Sequence, residues 1–324
     1  MAAGLLGGLL AGILATPALA QAAASDTARQ SRDDAWWTGP LLASGAGTLP
    51  QGHGLIEPYL YDVRTDARLD GRWKRHDAPA DQFFGSRTYL LYGVTDDFTA
   101  GAIPVFGYQR PRHGRASTGV GVGDLTVQGQ YQLRRWREGS WLPTVGVVVG
   151  ESLPIARFDK LGGHPEDGFG TGAYATNVAL NSQTYFWTPS SRILRTRLNL
   201  SYTRSARASP RDVSVYGTPQ GFRGHARPGD SFVTDLAFEY SLTQRWVLAT
   251  DLEWEHDAAT RVWGQAGGQP YRADFGSSET FFVAPAVEYN WTPAIGVIAG
   301  ARIVAAGRNT TASTAPVVAL NYVF

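Results

Sequence analysis

The sequence predicts an all-β chain closed into a transmembrane antiparallel barrel of about 12 strands, with short periplasmic turns and long extracellular loops. Three observations predict it. The segment Ala319–Phe324 alternates, with Leu320, Tyr322 and Phe324 apolar and Ala319 and Asn321 small or polar between them. That is the period of a strand with one face toward lipid. A Tyr-x-x-Thr unit recurs at Tyr92–Thr95, Tyr185–Thr188, Tyr240–Thr243 and Tyr289–Thr292, with a degenerate copy at Tyr131–Arg134. Each copy closes a β-like run, and another run follows within a few residues. The composition, with 10 Trp, 14 Tyr and 38 Gly, suits a wall in which one residue in two meets lipid. A large soluble β-sandwich shares the Gly and aromatic content, but it does not account for an export signal and a terminal Phe together.

Along the chain, residues 1–20 read as a signal peptide. Leu5–Leu14 is too short a run to span a bilayer, and Thr16–Ala20 gives a small-x-small cleavage pattern. No Lys or Arg precedes the run, which departs from the usual signal. Residues 21–50 read as a periplasmic N-terminal leader, Ala- and Ser-rich at first and then reaching Trp36-Trp37. The Trp pair is expected to anchor at the interfacial girdle, with docking at the periplasmic mouth or a plug in the lumen as the other readings. Residues 51–324 form the barrel. Its strands are expected near 53–63, 83–94, 98–110, 119–134, 140–153, 172–187, 192–205, 231–242, 245–257, 278–291, 295–307 and 313–324. The count is even, so both termini fall in the periplasm. The short turns carry Asp, Pro and Ser, as in Thr95-Asp96-Asp97 and Thr188-Pro189-Ser190-Ser191. The aromatics before them form one interfacial girdle. The polar stretches 64–82, 155–171 and 206–230 are expected as outer loops.

The strand faces give the candidate pore. In 231–242, Phe232, Thr234, Leu236, Phe238, Tyr240 and Leu242 share one face, and Asp235, Glu239 and Ser241 the other. In 245–257, Trp246, Leu248, Leu252 and Trp254 oppose Asp251, Glu253 and Glu255. The pore-lining residues expected from this alternation are Arg195, Arg197, Asp235, Glu239, Asp251, Glu253, Glu288 and Arg302. Arg197 is expected to pair with Asp235 or Glu239 across strands. Two readings stay open: a polar path that selects a solute, or a salt-bridged lumen that rigidifies a narrow barrel. Tyr185 and Phe186 cannot both face lipid, so either a bulge or a different register is expected there.

The remaining features exclude more than they suggest. The absence of Cys removes disulfides and thiol chemistry, and a net charge of +1 gives nucleic acid no basic face. Of the six His, His76, His113, His164 and His225 fall in four different long loops and His256 near the rim of a fifth, with no metal-ligand spacing, so no metal is expected. Gly119-Val120-Gly121-Val122-Gly123-Asp124 looks like a phosphate loop, but a strand pattern follows it rather than a helix. Its glycines are read as relieving crowding where a loop enters a strand. No Ser–His arrangement lies at membrane depth, so neither catalysis nor a cofactor is expected.

The segments Thr48–Tyr59 (TLPQGHGLIEPY) and Gly119–Tyr131 (GVGVGDLTVQGQY) resemble strands of the outer-membrane family known as the MetA-pathway of phenol degradation. The terminal Phe with Tyr two residues before it resembles the signal read by the barrel-assembly machinery. The family resemblance implies an outer-membrane barrel with a transport-like role and does not name the solute. The expected function is a channel for small molecules, hydrophobic or aromatic compounds among them. The alternative is a closed interaction barrel whose outer loops bind a partner. Expected partners are outer-membrane lipid, the assembly machinery and a small solute.

Overall fold

The computed structural model describes residues 29–324, so the expected signal peptide and the first part of the leader lie outside the described residues. Seventeen strands follow: β1 (Gly54–Leu69), β2 (Arg75–Thr95), β3 (Phe98–Ile103), β4 (Val105–Arg110), β5 (Gly121–Val122), β6 (Leu125–Arg134), β7 (Thr144–Leu153), β8 (Ala175–Trp187), β9 (Ile193–Ser205), β10 (Phe222–Arg227), β11 (Ser231–Ser241), β12 (Trp246–Asp257), β13 (Thr260–Ala266), β14 (Gln269–Phe275), β15 (Ser278–Thr292), β16 (Ile295–Arg308) and β17 (Thr310–Val323). Two pairs are halves of one wall strand. Pro104, which has no N–H to give a ladder, separates β3 from β4, and Gly123-Asp124 separates β5 from β6. The wall therefore has twelve strands, every one antiparallel to its neighbours. The ring closes because β1 pairs with both β2 and β17. Closure leaves no open edge, so the backbone polar groups of the wall are satisfied within it.

The side-chain alternation sets the two surfaces. Outward Leu236 and Leu252 are 37% and 45% exposed, whereas inward Ala237 and Asp251 are fully buried. Two aromatic belts flank the apolar band. Near the short turns, Trp246, Tyr289 and Trp291 interlock, with centroids 4.7 Å and 5.3 Å apart. Toward the long loops, Phe232, Trp254, Phe281 and Trp73 form the second cluster.

Several expectations need correction. No bulge interrupts β8 at Tyr185, which pairs with β9 in continuous register. Tyr185 turns inward instead, edge-on to Trp136 at 5.3 Å, while Phe186 faces out. The stretch 64–82 is not a loose loop, because β1 and β2 run on as a ribbon to a turn at 70–74. Residues 206–230 and 258–277 contribute a second sheet, β10-β13-β14, beyond the rim. Phe222, Ala226 and Val262 bury against Ala173, Ala208 and Tyr216 there. The chain at 155–174 folds toward the barrel. Asp124 ties it down by accepting bonds from the Ala156 and Thr171 amides at 3.1 Å and 2.8 Å.

Candidate functional site

The leader enters the barrel rather than anchoring at its rim. The chain crosses the short-turn mouth at Gln30, whose amide bonds the Ser191 carbonyl, and at Trp36, whose amide bonds the Gln244 carbonyl. Arg29 and Arg32 lie over the rings of Trp187 and Tyr185 at that mouth, 3.5 Å and 4.6 Å from the centroids. Residues 38–48 then run inside the wall, and the chain returns to the same mouth, where the Gln51 amide donates to Asp96 at 3.0 Å. The segment is a re-entrant plug with both feet on one side.

Inward polar residues hold this plug almost wholly through its main chain. Glu288 accepts the amides of Thr38 and Gly39 at 2.7 Å and 3.2 Å. Asp251 accepts those of Leu41, Leu42 and Ala43 at 3.1, 3.3 and 3.0 Å. Arg197 donates to the Ala43 carbonyl and Asn199 to the Ser44 carbonyl, at 2.7 Å and 2.9 Å. Gln130 donates to the carbonyls of Gly45 and Gly47, and Gln132 accepts the Thr48 amide. Hydrogen bonds to buried charges in a water-poor interior are the strong kind. Gly39 sits at φ +120°, a conformation that suits glycine, with the Arg197 guanidinium close above it.

Each residue expected to line the pore points inward, and most are already engaged. Glu239 takes Arg195 in a bidentate pair and Arg197 at 3.2 Å, so Arg197 joins Glu239 and not Asp235. Arg195 also lies 4.4 Å from the Trp37 ring centroid, which places Trp37 inside the mouth rather than in the girdle. Arg302 binds Glu253 at 2.7 Å and approaches Glu255 at 3.6 Å. Asp235 has no hydrogen-bond partner on either oxygen.

Above the plug, a chamber of about 670 Å³ spans the barrel. Leu41, Leu42 and Ser44 form its floor. Tyr59, Tyr61, Arg87 and Tyr89 line one side, and Asp235, Glu253, Glu255 and Arg302 line another. By ring order β11 stands across from β2, and β9 across from β1, so the tyrosines face the carboxylates. The tyrosine wall continues as an aromatic ladder. Tyr59 meets Tyr89 at 5.8 Å, Tyr61 meets Phe83 at 6.0 Å, and Phe83 meets Phe169 of the folded-in loop at 6.4 Å. Gly121 makes room for that last ring, because a Cβ there would overlap Phe169. A second cavity of about 200 Å³ runs beside the plug, between it and Leu55, Tyr89, Leu91 and Thr99. Leu41, Leu42, Ser44, Tyr59 and Tyr89 line both cavities, so the two adjoin.

Sequence reasoning missed the tyrosine wall and the plug contacts. Tyr59, Tyr61 and Tyr89 alternate with outward Leu60 and Leu90, so both faces of those strands are apolar and periodicity alone does not assign an inside. The histidines stay apart: His76 pairs with Asp70 at 2.8 Å, and His225 contacts Ser209 at 3.3 Å. Among the described residues no group of His, Asp and Glu could hold a metal.

Residues 84–317 match the family model described as "Putative MetA-pathway of phenol degradation". Gly119–Tyr131 lies inside that span and Thr48–Tyr59 outside it. No curated protein matches the chain. Among solved structures, an outer membrane channel from Pseudomonas putida is similar at 15% identity and a TM-score of 0.62, covering 86% of this chain and 98% of that one. The translocator domain of the autotransporter NalP from Neisseria meningitidis is 12% identical with a TM-score of 0.46, covering 87% and 90%. The toluene transporter TodX from Pseudomonas putida is 11% identical with a TM-score of 0.41, covering 90% and 95%.

Proposed function

The chain belongs to the family of the MetA-pathway of phenol degradation, and from that premise we propose that it is a channel of the bacterial outer membrane for small aromatic or hydrophobic molecules. The observation that carries this reading is the aromatic ladder Phe169–Phe83–Tyr61 leading into the tyrosine-lined chamber. Ring faces offer an apolar solute repeated shallow contacts rather than one deep site, which suits entry and release. From the chamber floor the route continues through the cavity beside the plug, along Leu41, Leu49, Leu55 and Leu91. The long-loop end faces outside and the short-turn mouth faces the periplasm. The lumen carboxylates and arginines hold the plug and the wall, and the chemistry is passage rather than catalysis.

The plug supports a second reading, a closed barrel whose outer sheet β10-β13-β14 engages a partner. Uptake of a labelled monocyclic aromatic by deletion and complemented cells, together with conductance of the purified protein in planar bilayers, separates the two. Restored uptake with small conductance steps is the expected result. Unchanged uptake with no conductance would favour the closed barrel.

A further inference from the structure

Asp235 is the one acidic group of the chamber that the described residues leave without a cation. It is 3% exposed, and neither carboxylate oxygen has a donor within hydrogen-bond distance. Its register partner on β9 is Asn199, which is 8% exposed. The Asn199 amide nitrogen is spent on the Ser44 carbonyl, and its oxygen also lacks a donor. Directly paired residues on one face of a sheet stand close enough to share a ligand. Three buried acceptors, both Asp235 oxygens and the Asn199 amide oxygen, therefore belong to two paired residues of the chamber wall with no donor supplied to them. Such groups are costly unless paired.

The other charges of the chamber narrow what could pair with them. Arg302 is committed to Glu253 and Glu255 and lies over the Phe282 ring at 3.4 Å. Arg87 stands on the opposite wall among the tyrosines. An anion would meet Asp235, and a cation would be steered from Arg87 toward it. A primary ammonium has three donors and no acceptor, which matches three acceptors. The facing wall of Tyr59, Tyr61 and Tyr89 offers ring surface to the rest of such a molecule, and a chamber of about 670 Å³ is of the size that encloses a small ligand.

We propose that the chamber binds small organic amines in their protonated form, with the ammonium on Asp235 and Asn199 and an aromatic or apolar body against the tyrosine wall. The proposal rests on the transport reading only for how the ligand arrives. The test is calorimetric titration of the full chain, folded in detergent micelles, with 2-phenylethylamine at neutral pH, with 2-phenylethanol as the neutral match and micelles alone as blank. The amine should bind at least about tenfold more tightly than the alcohol. Asp235→Asn should weaken the amine about tenfold or more and leave the alcohol within about twofold. Equal binding of both by the unaltered protein, binding of neither, or an Asp235→Asn variant that keeps the amine preference would each overturn the proposal. The comparison within the unaltered protein stands even if the variant does not fold. Failure of the channel reading shows elsewhere: proteoliposomes that do not pass phenol, whatever the amine titration gives.

Discussion

Removing the Asp251 carboxylate should loosen the plug and leave the barrel standing. Asp251 is fully buried and accepts three consecutive plug amides, from Leu41, Leu42 and Ala43. Asp251→Ala deletes all three bonds and leaves three N–H groups facing an apolar methyl. Bonds to a charged acceptor are worth about 1.5–3 kcal/mol each, but three on one carboxylate do not add. Relief of burying the charge offsets part of the loss. A net cost to plug docking of about 3 kcal/mol follows, which changes the docked-to-undocked ratio by about 10²-fold. The wall loses little, because the β11–β12 and β12–β15 ladders bond through the main chain. Single-channel recording reads the effect directly. A chain lacking residues 29–49 defines the plug-free conductance. Asp251→Ala should visit that level far more often than the unaltered protein, while Leu252→Ala on the outer face should not. If the deletion raises conductance and Asp251→Ala gives traces like the unaltered protein, the carboxylate is not what holds the plug.

Three further outcomes are expected. Leu236→Arg should lower folded stability by about 2–4 kcal/mol in a denaturant titration into vesicles, whereas Val233→Arg on the chamber face of the same strand should cost much less; equal costs would contradict the assigned faces. Gly121→Val should push Phe169 off its seat at a cost of about 1–3 kcal/mol, seen as faster protease cleavage within 155–174; unchanged cleavage would mean that the ring finds another place. The Asp70 carboxyl is held down to about 2 by its hydrogen bond to His76 and by the Lys74 and Arg72 amides. Its folded value lies below the ordinary 3.8, so its support of the 70–74 turn is complete above about pH 4 and fades as pH falls through about 2. An Asp70 carboxyl carbon that titrates by NMR near the ordinary value would refute this.

The wall was largely legible in the sequence because half of it obeys a simple rule. On β11, β12 and β15, polar inward residues alternate with apolar outward ones, and the faces of Asp235, Leu236, Asp251 and Leu252 can be read directly. The rule fails on β1 and β2, where the apolar rings of Tyr59, Tyr61 and Tyr89 face the chamber and Leu60 and Leu90 face out. Two apolar faces carry no period. It fails again at Ala237 and Ala249, whose inward side is closed off rather than roomy; Ala249 packs in the cluster with Leu41. The contacts that hold the plug were hidden for another reason. They run from main-chain groups of 38–48 to wall side chains, so almost any sequence in that stretch could make them. The outer sheet was missed because β13 and β14 mix Arg, Gln and Asp with short apolar runs, as an exposed ribbon does.

The two feet of the plug share one mouth, and that has a mechanical meaning. A segment that passed through the barrel from end to end could leave only by dragging a free end along the whole bore. This one can leave as a folded loop. A pull on the chain before Gln30 would load its bonds in series rather than together. The Glu288 pair would part first, then the three on Asp251, then those of Arg197 and Asn199, and last the glutamines near Thr48. Bonds that break one at a time yield to a small force over a long stroke, as a zip does. The return leg, anchored at Gln51 and continuous with β1, would keep the loop tethered at the mouth and ready to go back.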